Sequence, residues 1–209
     1  MLKYKKQYKG ETFVKKEKLH EATEMLVKNQ YLDKFCIGEP IAKDFVSNHV
    51  VVDMYCDATK EGFVKYITLG VCKKYLDNGW YEFSFATPNR LDYAIEKAML
   101  DEISNITCKL IEREYDDSFF DIETGVVFPS LKATKDALGY DGFILELHDM
   151  GFTALTGEPL YIILLVPVYE NEMKFIEENG YDLFSEKYDE LVPDEEQILV
   201  GVKRKPIEF

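Results

Sequence analysis

The feature of this sequence that most constrains its fold is an almost entirely apolar segment from Leu160 to Tyr169 (LYIILLVPVY). Such a run without polar alternation is typical of a β-strand that is buried on both faces. Pro167 lies near its end, where a missing N–H interrupts the ladder of hydrogen bonds least. The segment is far too short to cross a bilayer as a helix. The chain is therefore expected to build a sheet around this central strand.

Other segments have the β-branched and aromatic composition of strands. His49–Tyr55 and Phe63–Leu69 together predict a hairpin. In Trp80–Ala86, aromatic residues alternate with a glutamate and a serine, which predicts a half-buried strand. Shorter strands are predicted at Gly125–Phe128, Phe143–Leu147 and, as a last edge strand, Gln197–Lys203.

Helices are predicted between these runs of strands. Thr12–Gln30 repeats apolar residues at helical spacing, and in one interpretation this helix continues to Phe35. Asn89 is expected to cap a long amphipathic helix that ends near Glu114. A helical turn is predicted at Thr134–Leu138. Glu170–Leu191 predicts either one helix or a pair of helices broken at Asn179-Gly180.

The order of these elements determines the expected fold class. Runs of strands separated by helices, without strict βαβ alternation, indicate a single layered α+β domain whose mixed or antiparallel central sheet is flanked by helices. A chain of 209 residues that is 46% hydrophobic can bury a full core. We expect an N-terminal basic arm and helix over residues 1–34 and a domain over residues 35–209, forming one continuous globular unit.

The formal net charge of −14 excludes one class of partner. Nucleic-acid-binding proteins need a basic surface to neutralise phosphates, so direct nucleic-acid binding is not expected. A basic protein remains a suitable partner, although the charge also has a simpler explanation in solubility. The charge is uneven, since residues 1–18 contain seven lysines and residues 170–196 contain eleven acids.

Catalytic motifs with a required spacing are not found. The sequence has no phosphate-binding glycine loop, zinc-binding HExxH, EF-hand loop or GxSxG nucleophile elbow. The four cysteines are scattered, as expected for buried hydrophobic residues, and no histidine stands near them at zinc-ligand spacing. We therefore expect a non-enzymatic protein without a cofactor. No apolar stretch follows the Lys- and Tyr-rich start, so a cytoplasmic protein without a signal peptide or membrane contact is predicted.

Three acidic groupings keep a metal site open as an alternative, because hard cations bind clustered oxygen ligands. None of them has regular ligand spacing. The first, Asp116–Glu123, would serve a metal-dependent hydrolase. The other two combine Asp141 with Glu146 and Asp149, and Asp194 with its two following glutamates.

Two motifs, taken in order, resemble the suppressor-of-fused domain family. The predicted hairpin ends in Thr68-Leu69-Gly70 and is followed by the strand Glu82-Phe83-Ser84-Phe85-Ala86 and a helix. Later, the apolar strand ends in Pro167-Val168-Tyr169, an acid a few residues on opens a helix, and Asn179-Gly180 precedes Leu183. The resemblance covers about residues 35–192, with the later motif the more specific. Val71-Cys72 departs from the Met-Ser expected there, and residues 116–149 match nothing in the pattern.

The resemblance implies a binding role. Single-domain bacterial members of this family resemble immunity proteins, which neutralise a cognate polymorphic toxin, often a nuclease, by direct binding in the cytoplasm. Because nucleases present basic surfaces to nucleic acid, an acidic inhibitor matches such a partner. A general scaffold or regulatory protein is the alternative that differs only in its target.

The expected contact with the partner is acidic and aromatic. The first set of candidate residues lies in the predicted C-terminal helix: Asp182, Glu186, Asp189 and Glu190. Their simpler explanation is a solvated helix face. The second set, Tyr115 and Phe119, belongs to an acidic and aromatic loop, where exposed rings would suit a basic protein.

Overall fold

A computed structural model describes residues 18, 21–35, 40–47, 50–58, 63–71, 80–112, 126–193, 199–200 and 204–209. The strands are β1 (Ala42–Ser47), β2 (Val50–Ala58), β3 (Val64–Leu69), β4 (Trp80–Thr87), β5 (Val127–Pro129), β6 (Gly142–Thr153) and β7 (Pro159–Val168). The helices are α1 (residues 21–34), α2 (Tyr93–Glu112), α3 (Lys132–Leu138), α4 (Glu170–Asn179) and α5 (Tyr181–Leu191).

The strands form one mixed sheet in the order β1-β2-β3-β4-β7-β6-β5. Strands β4 and β7 pair in parallel, and each of the other neighbouring pairs is antiparallel. The predicted hairpin is confirmed as the antiparallel pair of β2 and β3. The predicted α+β class, with a mixed sheet flanked by helices, is confirmed.

Strand β7 has the central, doubly covered position that its apolar sequence predicts. On one face Ile163 and Leu165 join a core that includes Met99 and Ile103 of α2. On the other face, the β7 residues at even positions pack in two clusters, one with α1 and one with the α4–α5 pair. The helices therefore form two layers around the sheet, with α1 over the start of β7 and α4–α5 over the end of β7 and the start of β6.

Strand β4 differs from its prediction, because all eight of its residues are buried. Tyr81, Phe83 and Phe85 face the α2 core, as the alternation indicates. Glu82 and Ser84, expected to face water, are 0% and 3% exposed. The half-buried interpretation is wrong because it assumed that a polar side chain needs solvent, whereas these two find protein partners instead.

Several other predicted elements are confirmed with shifted ends, whereas residues 12–17, 19 and 20 of the predicted helix Thr12–Gln30 lie outside the described part of the chain. Helix α2 starts later than predicted, because Asp92 rather than Asn89 caps it, accepting a hydrogen bond from the Ile95 N–H at 3.0 Å. The C-terminal helix is the predicted broken pair, interrupted at Gly180, whose φ of 88° and ψ of 161° suit only glycine. Strand β6 is more than twice as long as predicted, and β1 was not predicted.

The C-terminal tail, defined as residues 204–209, is held against α4 by a buried ion pair. The Arg204 guanidinium donates to both carboxylate oxygens of Glu172, at 2.5 and 2.6 Å, and their side chains are 2% and 0% exposed. It also donates to the Pro167 carbonyl at 3.0 Å. Its planar group lies 4.9 Å from the ring centre of Tyr169 and 5.1 Å from that of Tyr188.

The Glu172 carboxylate also accepts backbone hydrogen bonds. The N–H of Tyr169, just before α4, donates to one oxygen at 2.9 Å, and the N–H of Ile207 in the tail donates to the other at 3.0 Å. The Tyr169 hydroxyl in turn donates to the Arg204 carbonyl at 2.5 Å. This network, with Glu172 and Arg204 at its centre, is called the Glu172–Arg204 clamp below.

We expect Arg204→Met to destabilise the protein by about 3–5 kcal/mol, because it leaves the Glu172 carboxylate buried and without its charged partner. The double variant with Glu172→Met should lose less than the sum of the two single changes, since it buries no charge. Urea unfolding measures both. Lys174→Met, which breaks an exposed ion pair with Glu170, is the matched control and should leave stability unchanged. Additive losses in the double variant would contradict the role assigned to the clamp.

Candidate functional site

The residues of the earlier motif meet in a buried hydrogen-bond network. The Glu82 carboxylate accepts from the Thr68 hydroxyl at 2.6 Å and from the Gly70 N–H at 2.7 Å, with a longer bond of 3.3 Å from Val71. The Thr68 hydroxyl oxygen accepts from the Phe83 N–H at 2.8 Å. These hydrogen bonds connect the end of β3 and the turn after it to the middle of β4. The motif is therefore structural, as its burial shows.

The first part of the later motif is also internal. Pro167, Tyr169 and the helix-opening acid Glu172 all belong to the Glu172–Arg204 clamp. Burial raises the pKa of the Tyr169 phenol, and it raises that of Tyr188 to about 12, so both rings stay neutral at physiological pH. These residues thus hold β7, α4 and the tail together, whereas Leu183, the last residue of the later motif, is exposed on α5.

Helix α5 presents the predicted acidic residues to solvent. Asp182, Glu186, Asp189 and Glu190 are all exposed. At 3.6 residues per turn they occupy one arc, roughly 100° wide. We call this arc the acidic face. The orientation of the acidic face is fixed by the opposite side of α5, where Phe184 and Tyr188 are buried against the sheet.

Neighbouring charges strengthen the negative character of this region. Glu177 and Glu178 at the end of α4 are exposed, one turn away from Gly180. Lys174 is paired with Glu170 at 2.7 Å, so its charge is partly compensated locally. In the described segment 170–193, the only other basic residue is Lys187, which is half-buried. The acidic face is therefore available to a basic partner.

The second candidate set lies outside the part of the chain that the structure describes. This holds for Tyr115 and Phe119, for the Asp116–Glu123 cluster and for Asp194–Glu196. Of the predicted edge strand Gln197–Lys203, the structure describes only Leu199 and Val200. Leu199 forms an isolated parallel β-bridge with Ala86.

The remaining acidic grouping does not form one site. Asp141 accepts from Lys135 and from the Glu170 N–H, Asp149 accepts from the Gly151 N–H at 2.8 Å, and Glu146 contacts Tyr181. Each carboxylate thus has separate partners. Within the described residues, no group of three or more histidine, cysteine or acidic side chains could hold a metal ion.

A polar contact missed by sequence reasoning joins β6 to the start of α5. The Tyr181 hydroxyl donates to Glu146 Oε1 at 2.7 Å, and His148 Nε2 lies 3.6 Å from Glu146 Oε2. Burial acts to raise the pKa of Glu146, but the hydrogen bonds from His148 and Tyr181 outweigh it and lower that pKa. The contact lies beside the acidic face and fixes the first turn of α5. Sequence patterns did not predict this contact because its residues are 35 positions apart in the chain.

Apolar side chains also reach the surface of this region. Leu183 is 41% and Leu191 54% exposed, and both lie on α5. Beyond Leu191, a cleft of about 430 Å³ separates the end of α5 from the C-terminal tail. Val192, Arg204 and Ile207 are its buried lining residues, and the prolines 193 and 206 are exposed. Sequence reasoning assigned no role to the tail, so it missed this cleft.

Tyr181→Phe should raise the pKa of Glu146, because it removes one of the two hydrogen bonds that lower it. A lowered carboxyl pKa stabilises the folded state above the unfolded pKa, and this contribution disappears as pH falls through the folded pKa. The variant should therefore lose stability at neutral pH but not in acid, where Glu146 is protonated in both states. An NMR titration of the Glu146 carboxyl and urea unfolding at both pH values measure this.

Tyr93→Phe is the matched control for that experiment, because Tyr93 is 79% exposed on α2. It should leave both the titration and the stability unchanged. An unaltered Glu146 titration in Tyr181→Phe would show that the tyrosine contact has no electrostatic role.

Comparison with known proteins identifies solved structures that share this fold. No protein-family model and no curated protein sequence matches this chain. Solved structures do match: a suppressor-of-fused homologue from Neisseria gonorrhoeae FA 1090 aligns with a TM-score of 0.59 at 11% identity, covering 90% of this chain and 98% of that one. A crystal structure of a Sufu–Fu complex aligns with a TM-score of 0.57 at 9% identity, covering 90% and 91%.

Suppressor of Fused from Drosophila also matches, with a TM-score of 0.56 at 9% identity. The alignment covers 89% of this chain but 50% of that protein, so this chain spans about half its length. In the described part of the chain, no helix combines the length and apolar character needed to span a membrane. At such low identity, the matches establish the architecture alone: the chain has the fold of the suppressor-of-fused proteins.

Proposed function

We propose that this chain is a non-catalytic protein-binding module that neutralises a cognate protein toxin by direct binding. The observation that supports it most is the acidic face, in which four exposed carboxylates lie along one side of a helix anchored by buried aromatic residues. A helix held in this way presents its charges without a cost for ordering the backbone on binding. The toxin would act in the cytoplasm, where this chain would meet it.

Electrostatics supports a basic partner. A net charge of −14 attracts a basic protein over long distance and speeds productive encounter. A nuclease toxin is a suitable partner, because the basic surface with which it binds phosphates would be covered by the acidic face. The carboxylates would then occupy positions that phosphates occupy in the substrate complex.

The shared fold adds independent support for a protein partner. One of the structures with the same fold is that of Sufu with Fu, a complex of two proteins. Transfer of a binding role to this chain is part of the proposal. Tyr115 and Phe119, outside the described residues, are proposed as a second contact patch.

A general scaffold or regulator would bind through the same face and differs only in its target. The alternative of a metal-dependent hydrolase at Asp116–Glu123 has no support in the described part of the chain. The identity of the partner therefore distinguishes the two remaining hypotheses, a toxin-neutralising protein and a general scaffold or regulator.

The direct test is to co-express this chain with the product of the neighbouring gene. We expect a complex that survives purification and abolishes the toxicity of that product in growing cells. A harmless neighbouring product that forms no complex would contradict the neutralising role. A complex with a harmless protein would favour the scaffold or regulator.

Charge reversal tests the acidic face. Glu186→Lys together with Glu190→Lys should slow association with the toxin at least tenfold at low salt and reduce the salt dependence of the association rate, because steering depends on these charges. Both residues are exposed and lie away from the first turn of α5, where an acid stabilises the helix. Stopped-flow association at several salt concentrations measures the effect.

The matched control changes the net charge equally at another place. Asp33→Lys with Asp136→Lys alters two exposed acids on α1 and α3. This control should show a much smaller change in association rate. Equal effects of the two double variants would indicate that net charge, rather than the acidic face, drives encounter.

A further inference from the structure

One flank of α5, called the apolar flank below, exposes two leucines to solvent with the half-buried Lys187 between them. Leu183, Lys187 and Leu191 follow one another at steps of four residues, which aligns them along the helix next to the acidic face. Leu183 and Leu191 are 41% and 54% exposed. Their apolar surface therefore borders a row of carboxylates and leads toward the C-terminal end of α5.

At that end the apolar flank opens into the cleft of about 430 Å³. This volume falls in the range of sites that enclose small ligands or large side chains. Leu191 and Pro193 lie on one wall, and Pro206 and Ile207 of the C-terminal tail lie on the other. Charged groups stand at the tail side, where Lys205 and Glu208 are exposed. The α5 wall of the cleft is thus apolar, whereas the tail wall combines the apolar Pro206 and Ile207 with three charged residues, Arg204, Lys205 and Glu208.

The tail wall of the cleft is held in place by contacts that its residues make with α4 and the end of β7. The Glu172–Arg204 clamp fixes its beginning. Asn171 Nδ2 donates to the Ile207 carbonyl at 2.6 Å. The ring of Phe209 stacks on that of Phe175 with centroids 3.9 Å apart. A cleft formed before binding reduces the entropic cost of receiving a ligand group.

We propose that this cleft receives a large apolar side chain of the partner, while basic residues on either side of that side chain lie along the acidic face. The inference rests on the proposed function and specifies the chemistry of its partner: a helix or loop with a Leu, Phe or similar anchor next to lysines or arginines. Leu191 and the adjacent Glu190 mark the point where the two kinds of contact meet.

The two contacts contribute differently to binding. Exposed carboxylates accelerate encounter but stabilise a complex little, because water and salt screen them. A side chain buried in a preformed cleft acts mainly on the dissociation rate, as central anchors of protein interfaces do. The cleft therefore supplies the long-lived attachment that the acidic face alone does not.

Two synthetic helical peptides test this inference. The first combines lysines with leucines on one face, and the second has serine in place of every leucine and the same charge. We expect the leucine peptide to bind at least tenfold tighter, the factor that burial of one leucine side chain supplies. Fluorescence anisotropy gives the Kd, and methyl NMR should show the largest shifts at Leu191, Val192 and Ile207.

Leu191→Ser should reduce leucine-peptide affinity about tenfold, to near that of the serine peptide. Leu155→Ser is the matched control, since Leu155 is 51% exposed in the turn between β6 and β7. It should leave the affinity unchanged. Both variants change an exposed leucine, so neither is expected to unfold the protein, and the NMR shifts in the unmodified chain provide a second reading.

Equal affinity of the two peptides, equal effects of the two leucine variants, or methyl shifts confined to other sites would overturn the inference. The acidic face is tested separately with the serine peptide. If Glu186→Lys with Glu190→Lys slows association of the serine peptide at low salt while the leucines have no effect, the cleft proposal fails and the acidic face stands. If that double variant leaves the association rate of the serine peptide unchanged, the proposed function loses its support, whatever the cleft binds.

Discussion

The ion pair between Glu172 and Arg204 determines how the C-terminal third of this molecule is arranged. Two charges that are almost fully removed from water cost several kcal/mol each unless every lone pair and proton finds a partner. Here the paired oxygens also accept backbone N–H groups before α4 and in the tail, and two tyrosine rings enclose the guanidinium, whose Nε–H is the one proton left without a hydrogen-bond partner among the described residues. The pair thereby joins the end of β7, the start of α4 and the tail. Once the tail is fixed, α5 has a rigid neighbour, and the acidic face and the cleft take defined positions.

Buried polar contacts therefore account for the two glutamates in the motifs that resemble the suppressor-of-fused pattern. Glu82 ties β4 to the end of β3, and Glu172 ties α4 to the tail. Neither carboxylate is exposed, so neither is available to a partner. The acidic face belongs to a different set of side chains, all on the solvent side of α5. A fold of this kind separates its internal polar network from the surface that would recognise a partner, so the fold alone does not identify the partner.

Sequence patterns predicted the elements whose energetics are local. The apolar run predicted β7 and its burial on two faces, and Asn179-Gly180 predicted the break between α4 and α5. The patterns failed where a distant partner decides the outcome. Glu82 is buried because Thr68 and the turn after β3 supply donors. Arg204 is buried because it forms an ion pair with Glu172, which lies 32 residues earlier in the sequence. The cleft forms only when the tail returns along α4. The acidic face was predicted as a charge pattern, and its exposure follows from the burial of the opposite side of α5.

Hydrogen–deuterium exchange tests most directly whether the acidic face of α5 contacts the partner. The exchange of the chain is measured with and without the product of the neighbouring gene. The amides of α5 and of the C-terminal tail should exchange more slowly in the complex, while those on the outer side of α1 should be unaffected. Protection confined to α1 or to the edge strand β1, with α5 exchanging as in the free chain, would contradict the account.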